Sequence, residues 1–222
     1  MADVIDSLWQ RIMMTLQGHD GELCAGYLRA SWQKMLFAEG RLESLVQHVD
    51  TYKRKLDSRQ ILDSLPLAMD YDHLLISLRS SLQNTAYLVN TILLPGELTP
   101  PVAPGDDIDL RTVLDTLEQS NQSGRDASAD RLVQYLKIKL DEPWYKELFE
   151  PAIIISHDRS RDYPRVSPRS LNEQLLDFRF LLPDMVESGD SGESSIIAYC
   201  RSMIKRVEDL QTEVFAQLKR CL

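Results

Sequence analysis

Cysteine, glycine and aromatic residues are scarce in this chain, and long apolar runs are missing. Its three cysteines, Cys24, Cys200 and Cys221, are odd in number and widely spaced. That excludes a disulfide framework and a CxxC pair, and it points to a reducing compartment. No apolar stretch approaches the ~18 residues that mark a membrane span. The opening residues, MADVIDSLWQR, carry acids where a secretory leader carries bases. The expectation is therefore a cytoplasmic protein with no membrane partner. None of the 9 glycines stands in a phosphate-binding GxxxxGK[ST] or a dinucleotide GxGxxG pattern, and HExxH is absent. With 34 acidic against 25 basic side chains, the net charge is −9. This excludes a uniformly basic nucleic-acid binder and leaves room for a local basic patch.

What the chain does contain is helical periodicity. Val4, Ile5, Leu8, Trp9, Ile12 and Leu16 make one stripe over residues 2–17, ended by Gly18-His19-Asp20-Gly21. A longer helix is predicted over 22–55, with Leu28, Trp32, Met35, Leu42, Leu45 and Val49 on its apolar side. Gly26 and Gly40 mark where it could kink or pack closely against a neighbour. A short helical piece stops before Pro66, and Asp70 reads as the N-cap of a strong helix over 70–94. Four prolines and two glycines in the 11 residues Pro95–Gly105 form a connector. Further helices are predicted over 110–119, behind Asp107 or Asp109 as cap, over 129–140, and from Pro143 through 150. Pro151–Ser156 has the only β character, another helical stretch runs from Ser167 to Leu182, and a last helix fills 194–222. Nothing alternates with period two over a useful length. The fold class is all-α, a bundle of about seven or eight helices. The chain reads as one helical domain over 1–222, with parts 1–94 and 107–222 joined by the connector at 95–106.

Cys24 and Cys200 fall on apolar faces as small core residues, with Cys221 toward solvent. Tyr27, Trp32, Tyr87 and Trp144 are expected in the core or at an interface. Gly189-Asp190-Ser191-Gly192 spells the nucleophile context of chymotrypsin-like proteases, but an all-helical chain offers no β-barrel to assemble the triad. Asp70-Tyr71-Asp72-His73 is a single acid–x–x–His pair, too little for a metal site, and a first-turn or surface role is expected for it. No metal or cofactor is expected.

One segment departs from the acidic background. From His157 to Arg169 the chain places Arg159, Arg161, Arg165 and Arg169 with Tyr163 among 13 residues. Planar guanidinium forks suit phosphate, so this is a candidate nucleic-acid or nucleotide contact. The competing reading is a solvated loop whose arginines pair with Asp158, Asp162 and acids nearby.

The stretch Leu74–Asn90, LLISLRSSLQNTAYLVN, resembles a long helix of the HEPN superfamily. Asp141-Glu142-Pro143-Trp144-Tyr145-Lys146-Glu147-Leu148 and Ile155-Ser156-His157 resemble that family's approach to its active-site histidine. The resemblance spans residues 70–169. It implies an all-helical, often dimeric protein of bacterial toxin–antitoxin or anti-phage systems. Many members are metal-independent ribonucleases built on an arginine, four to six residues, then a histidine. It would make His157 the catalytic group, with Arg159 or Arg161 on the phosphate. Yet the positions where the arginine should precede His157 hold Glu150, Pro151 and Ala152. Arg41 and His48 do have the family spacing, inside the long second helix, but this many arginines and histidines produce one such pair by chance. The expectation is a non-catalytic interaction or scaffold subunit of a cytoplasmic assembly, with a protein partner or a second copy bound through its amphipathic helices. The alternative is a ribonuclease, or an RNA- or nucleotide-binding protein, using the loop from His157 to Arg169.

Overall fold

The computed structural model describes residues 1–57, 65–94, 108–119, 127–149 and 195–222. They form seven α-helices: α1 (Ala2–Thr15), α2 (His19–Asp57), α3 (Leu65–Leu93), α4 (Leu110–Gln119), α5 (Ala127–Leu140), α6 (Pro143–Phe149) and α7 (Ser195–Cys221). No strand occurs among the described residues, so the fold is an all-α helical bundle. None of the described helices is long and apolar enough to cross a membrane.

The antiparallel pair α2–α3 is the spine. Leu28, Met35, Leu45, Leu74, Leu78 and Leu82 are almost completely buried. The last helix, α7, lies against α1, α2, α3 and α5, while α4 packs on α3 and α5, and α6 on α3 and α5. Cys24, Cys200 and Trp144 are buried as expected, and Tyr27, Trp32 and Tyr87 are packed partly buried against the core.

The turn between α1 and α2 depends on its glycines. Gly18 has φ +66°, a left-handed conformation that glycine adopts without the Cβ penalty. At Gly21 a Cβ would stand 2.7 Å from the Leu16 carbonyl oxygen, so the chain can double back only with no side chain there. Gly26 and Gly40 differ from expectation. A Cβ at either would meet nothing within 4 Å, so neither marks a close helix contact.

The start of α3 also differs. The helix begins at Leu65, places Pro66 in its first turn, and carries Asp70 inside it rather than as its cap. Proline lacks the N–H that a first turn leaves unpaired and presets the helical φ, so Pro66 fits the first turn of this helix, and the short helical piece expected before it lies outside the described residues. Asp109 does cap α4, accepting from the Thr112 backbone N–H at 2.7 Å. Pro143 opens α6 behind Glu142, whose carboxylate accepts from Trp144 Nε1 at 2.7 Å and Lys139 Nζ at 2.6 Å.

Where α2, α3 and α7 meet, the core turns polar. Gln211 Nε2 donates to Ser31 Oγ (2.8 Å), Ser81 Oγ (2.8 Å) and Thr85 Oγ1 (2.9 Å). Ser81 donates to the Ser31 carbonyl at 2.8 Å, and Thr85 to the Ser81 carbonyl at 3.0 Å. All four side chains are fully buried. Only Gln211 Oε1 lacks a partner in this node.

Candidate functional site

Arg41 and His48 stand seven residues apart on α2, about 10.5 Å along its axis at ~1.5 Å per residue. Seven residues fall 20° short of two full turns, so both side chains lie on one face. That face meets the first turns of α3 where Asp70 points in. Asp70 Oδ1 accepts from Arg41 Nη1 at 3.2 Å, and Asp70 Oδ2 pairs with His48 Nδ1 at 2.7 Å.

The three side chains differ in their access to water. The Asp70 side chain is 6% exposed, whereas Arg41 and His48 are 47% and 44% exposed. A carboxylate that leaves water needs charge-assisted partners on both oxygens, and it has them here. In this arrangement Asp70 is the fixed centre and the arginine and histidine are the accessible ends. A carboxylate can only accept, so the Nδ1 beside it carries the proton. When uncharged, an imidazole held this way presents its Nε2 lone pair away from Asp70. Arg41 uses one guanidinium N–H on Asp70 and keeps others for a ligand anion. The arrangement offers a proton acceptor and an anion-binding fork on one accessible face.

A second group of polar side chains sits where α3, α6 and α7 converge, and it has a different character. Arg79 donates through Nε to the Leu148 carbonyl, closing the C-terminal end of α6. Tyr71 and Tyr199 pack with ring centroids 6.5 Å apart. Burial raises both phenols far above the ordinary tyrosine range, and burial also lowers Arg79. Phenols so hard to ionise and a guanidinium spent on a backbone carbonyl are structural groups. The thiols are inert for the same reason, with burial pushing Cys24 up to about 11 and Cys200 up to about 12.

His157, Arg159, Arg161, Arg165 and Arg169 lie outside the described residues, as do the Pro95–Gly105 connector and the Gly189–Gly192 segment. Asp70 is the residue that sequence reasoning missed. It is buried against α2 rather than on the surface, and its histidine partner is His48, not the neighbouring His73. The available signal was the Arg41–His48 spacing, which fixes a shared face but not what that face meets. Among the described residues there is no group of three or more His, Cys, Asp or Glu side chains able to hold a metal ion. No protein-family model, no curated protein and no solved structure matches the chain.

Proposed function

We propose that this chain is an endoribonuclease that cleaves RNA by acid–base chemistry at Arg41, His48 and Asp70. The observation that carries the reading is the 2.7 Å contact between His48 Nδ1 and the buried Asp70 carboxylate, with Arg41 on its other oxygen. It gives the Arg41–His48 spacing a physical partner. Arg41 and His48 have the arginine–histidine spacing of HEPN ribonucleases, but they precede the residues 70–169 that carry the resemblance.

His48 Nε2 takes the proton of a ribose 2′-hydroxyl. The 2′-oxygen then bonds to the adjacent phosphorus, the bond from phosphorus to the 5′-oxygen breaks, and that oxygen leaves as a hydroxyl after protonation from water. Arg41 holds the phosphate and bears the charge that grows on its equatorial oxygens. Asp70 touches no substrate. It positions His48 by holding its tautomer and ring plane. The nucleophile belongs to the substrate, so the reaction needs ribose, and DNA is not cut.

The test is cleavage of a mixed-sequence single-stranded RNA in the presence of EDTA. Wild type is expected to yield 2′,3′-cyclic phosphate and 5′-hydroxyl ends. His48→Ala and Arg41→Ala should each lose ~10²-fold or more in rate, while His157→Ala should be unaffected. Equal rates for wild type and His48→Ala would overturn the assignment. The interaction-subunit reading draws on a different observation. Trp9 and Met13, one turn apart on α1, are 42% and 47% exposed. It requires a mass above one chain by light scattering that falls on Trp9→Ser substitution.

A further inference from the structure

The surface beside the proposed site is sorted by charge. Lys34, Arg41 and His48 recur every seventh residue along α2, on the edge that meets Asp70 of α3. Glu39, Glu43 and Asp50 of the same helix fall on the opposite side by their spacing, while Asp20, in its first turn, continues the seven-residue row. Burial and the nearby Glu208 of α7 and Glu43 raise the Glu39 carboxyl, which places that acidic edge toward α7. Beside Arg41 and His48 stands the carboxylate of Asp70, buried and held by both.

Between Lys34 and Arg41 the same edge carries Phe37. Its side chain is 62% exposed, and the Lys34 ammonium lies 5.9 Å from the ring centroid. A solvated phenyl ring gains nothing for the core. Here it stands four residues, one helical turn, before Arg41, so the two side chains are neighbours on the helix surface. An open aromatic face and a row of cations match what an unpaired nucleobase on a charged backbone requires.

We infer that Phe37 is a stacking platform for one base of single-stranded RNA flanking the phosphate held by Arg41, with Lys34 on the next phosphate. This rests on the function proposed above, and it adds the substrate's form. The strand must be unpaired at that base, because a duplex hides the face that Phe37 would stack on. Lys34, on a flexible stem, leaves the ring for the phosphate as the base arrives.

The experiment is fluorescence anisotropy of the full chain with a short 2′-O-methyl single-stranded oligonucleotide, which binds without being cut, alongside cleavage of the matching RNA. Phe37→Ala should weaken binding about 10-fold, within the ~5- to 150-fold range of one lost base–aromatic stack. Phe37→Trp should retain affinity, and its fluorescence should be quenched on binding. Lys34→Ala should weaken binding and flatten its salt dependence. The same oligonucleotide as a blunt duplex should be bound equally by wild type and Phe37→Ala. Because the ring is solvated, these variants should melt with wild type, and a melt on each preparation checks it. Unchanged single-strand affinity in Phe37→Ala overturns the subsite, and continued cleavage would then leave the proposed function standing. Weakened binding with no cleavage by wild type would retain the subsite and remove the nuclease. No binding by wild type overturns the subsite directly.

Discussion

Replacing Asp70 by Asn changes charge and hydrogen-bond polarity with almost no change in volume, so it separates what the carboxylate does for the fold from what it does for His48. In the native protein both oxygens accept, from Arg41 Nη1 at 3.2 Å and from His48 Nδ1 at 2.7 Å. An asparagine offers one acceptor and one donor. Its carbonyl satisfies Arg41, and its amide then faces Nδ1 and can only donate to it. The imidazole answers by moving its proton to Nε2, the atom that must be bare to take a proton from a substrate. The stability cost is modest. Removing one member of a fully buried ion pair costs ~3–5 kcal/mol because the other is stranded away from water. Here Arg41 and His48 are each nearly half exposed and turn to solvent instead. That discounts the loss to ~1 kcal/mol, the scale of a screened pair. The rate should fall far more, by ~10²–10⁴-fold, the contribution of a positioned general base. Urea unfolding with an unchanged m-value measures the first quantity, and initial rates of RNA cleavage at saturating protein measure the second. If Asp70→Asn cleaves at the wild-type rate while His48→Ala does not, the tautomer argument is wrong. If it loses ~4 kcal/mol, the exposed ends of the pair do not relax as argued and the fully buried figure applies.

Three further outcomes test other parts of the structure. Gln211→Met removes the two N–H donors that serve Ser31, Ser81 and Thr85, and with them an oxygen that has no partner. A loss of ~1 kcal/mol per hydrogen bond against a relief of ~1–3 kcal/mol leaves this variant near wild-type stability. Gln211→Ala, which opens a cavity, should cost ~2–4 kcal/mol, and equal melting of the two would refute the accounting. A thiol reagent at pH 8 should modify Cys221 alone in the native protein and all three cysteines in guanidinium, because Cys24 and Cys200 are buried with thiols pushed up to about 11 and about 12. Fast reaction of a second thiol would place Cys24 or Cys200 nearer water than the fold allows. The hydrogen bond from Lys139 holds the Glu142 carboxyl below its ordinary range. Its contribution is therefore present at neutral pH and is lost as pH falls through that depressed folded-state value. The melting difference between wild type and Glu142→Gln should shrink on acidification, and a difference that grows would contradict the sign.

Much of this fold is legible because each helix carries its own pattern. The stripe of Ile197, Cys200, Ile204, Val207, Val214 and Leu218 defines α7 without reference to any other element. The misreading at α3 came from a local ambiguity. Proline before an apolar stripe can end one helix or open the next, and an acid just ahead of the stripe imitates an N-cap. Asp70 imitates a cap yet lies in the second turn of α3, because the helix already runs from Leu65. The polar node had a visible trace, since Gln211 occupies an apolar position between Val207 and Val214, and Thr85 sits on the apolar face of α3. A pattern can mark such positions as anomalous, but it cannot say that one amide meets three hydroxyls from two other helices. That information lies in the register between helices, which depends on packing.

The candidate site has the same division. The seven-residue step from Arg41 to His48 is a property of α2 alone, and it is readable; by itself it is indistinguishable from coincidence, because any helix with enough arginines and histidines will show it. What sets this pair apart is a carboxylate from another helix, buried and held by both of them. Net charge misleads for a related reason. A total of −9 averages over faces, whereas a ligand meets one face at a time, within a Debye length of ~10 Å. On α2 the acid Glu39 is turned toward Glu208 of α7, and Lys34, Arg41 and His48 lie on the edge that meets α3. An acidic protein can therefore present a basic track to a polyanion, provided its acids are gathered on the side the polyanion does not touch.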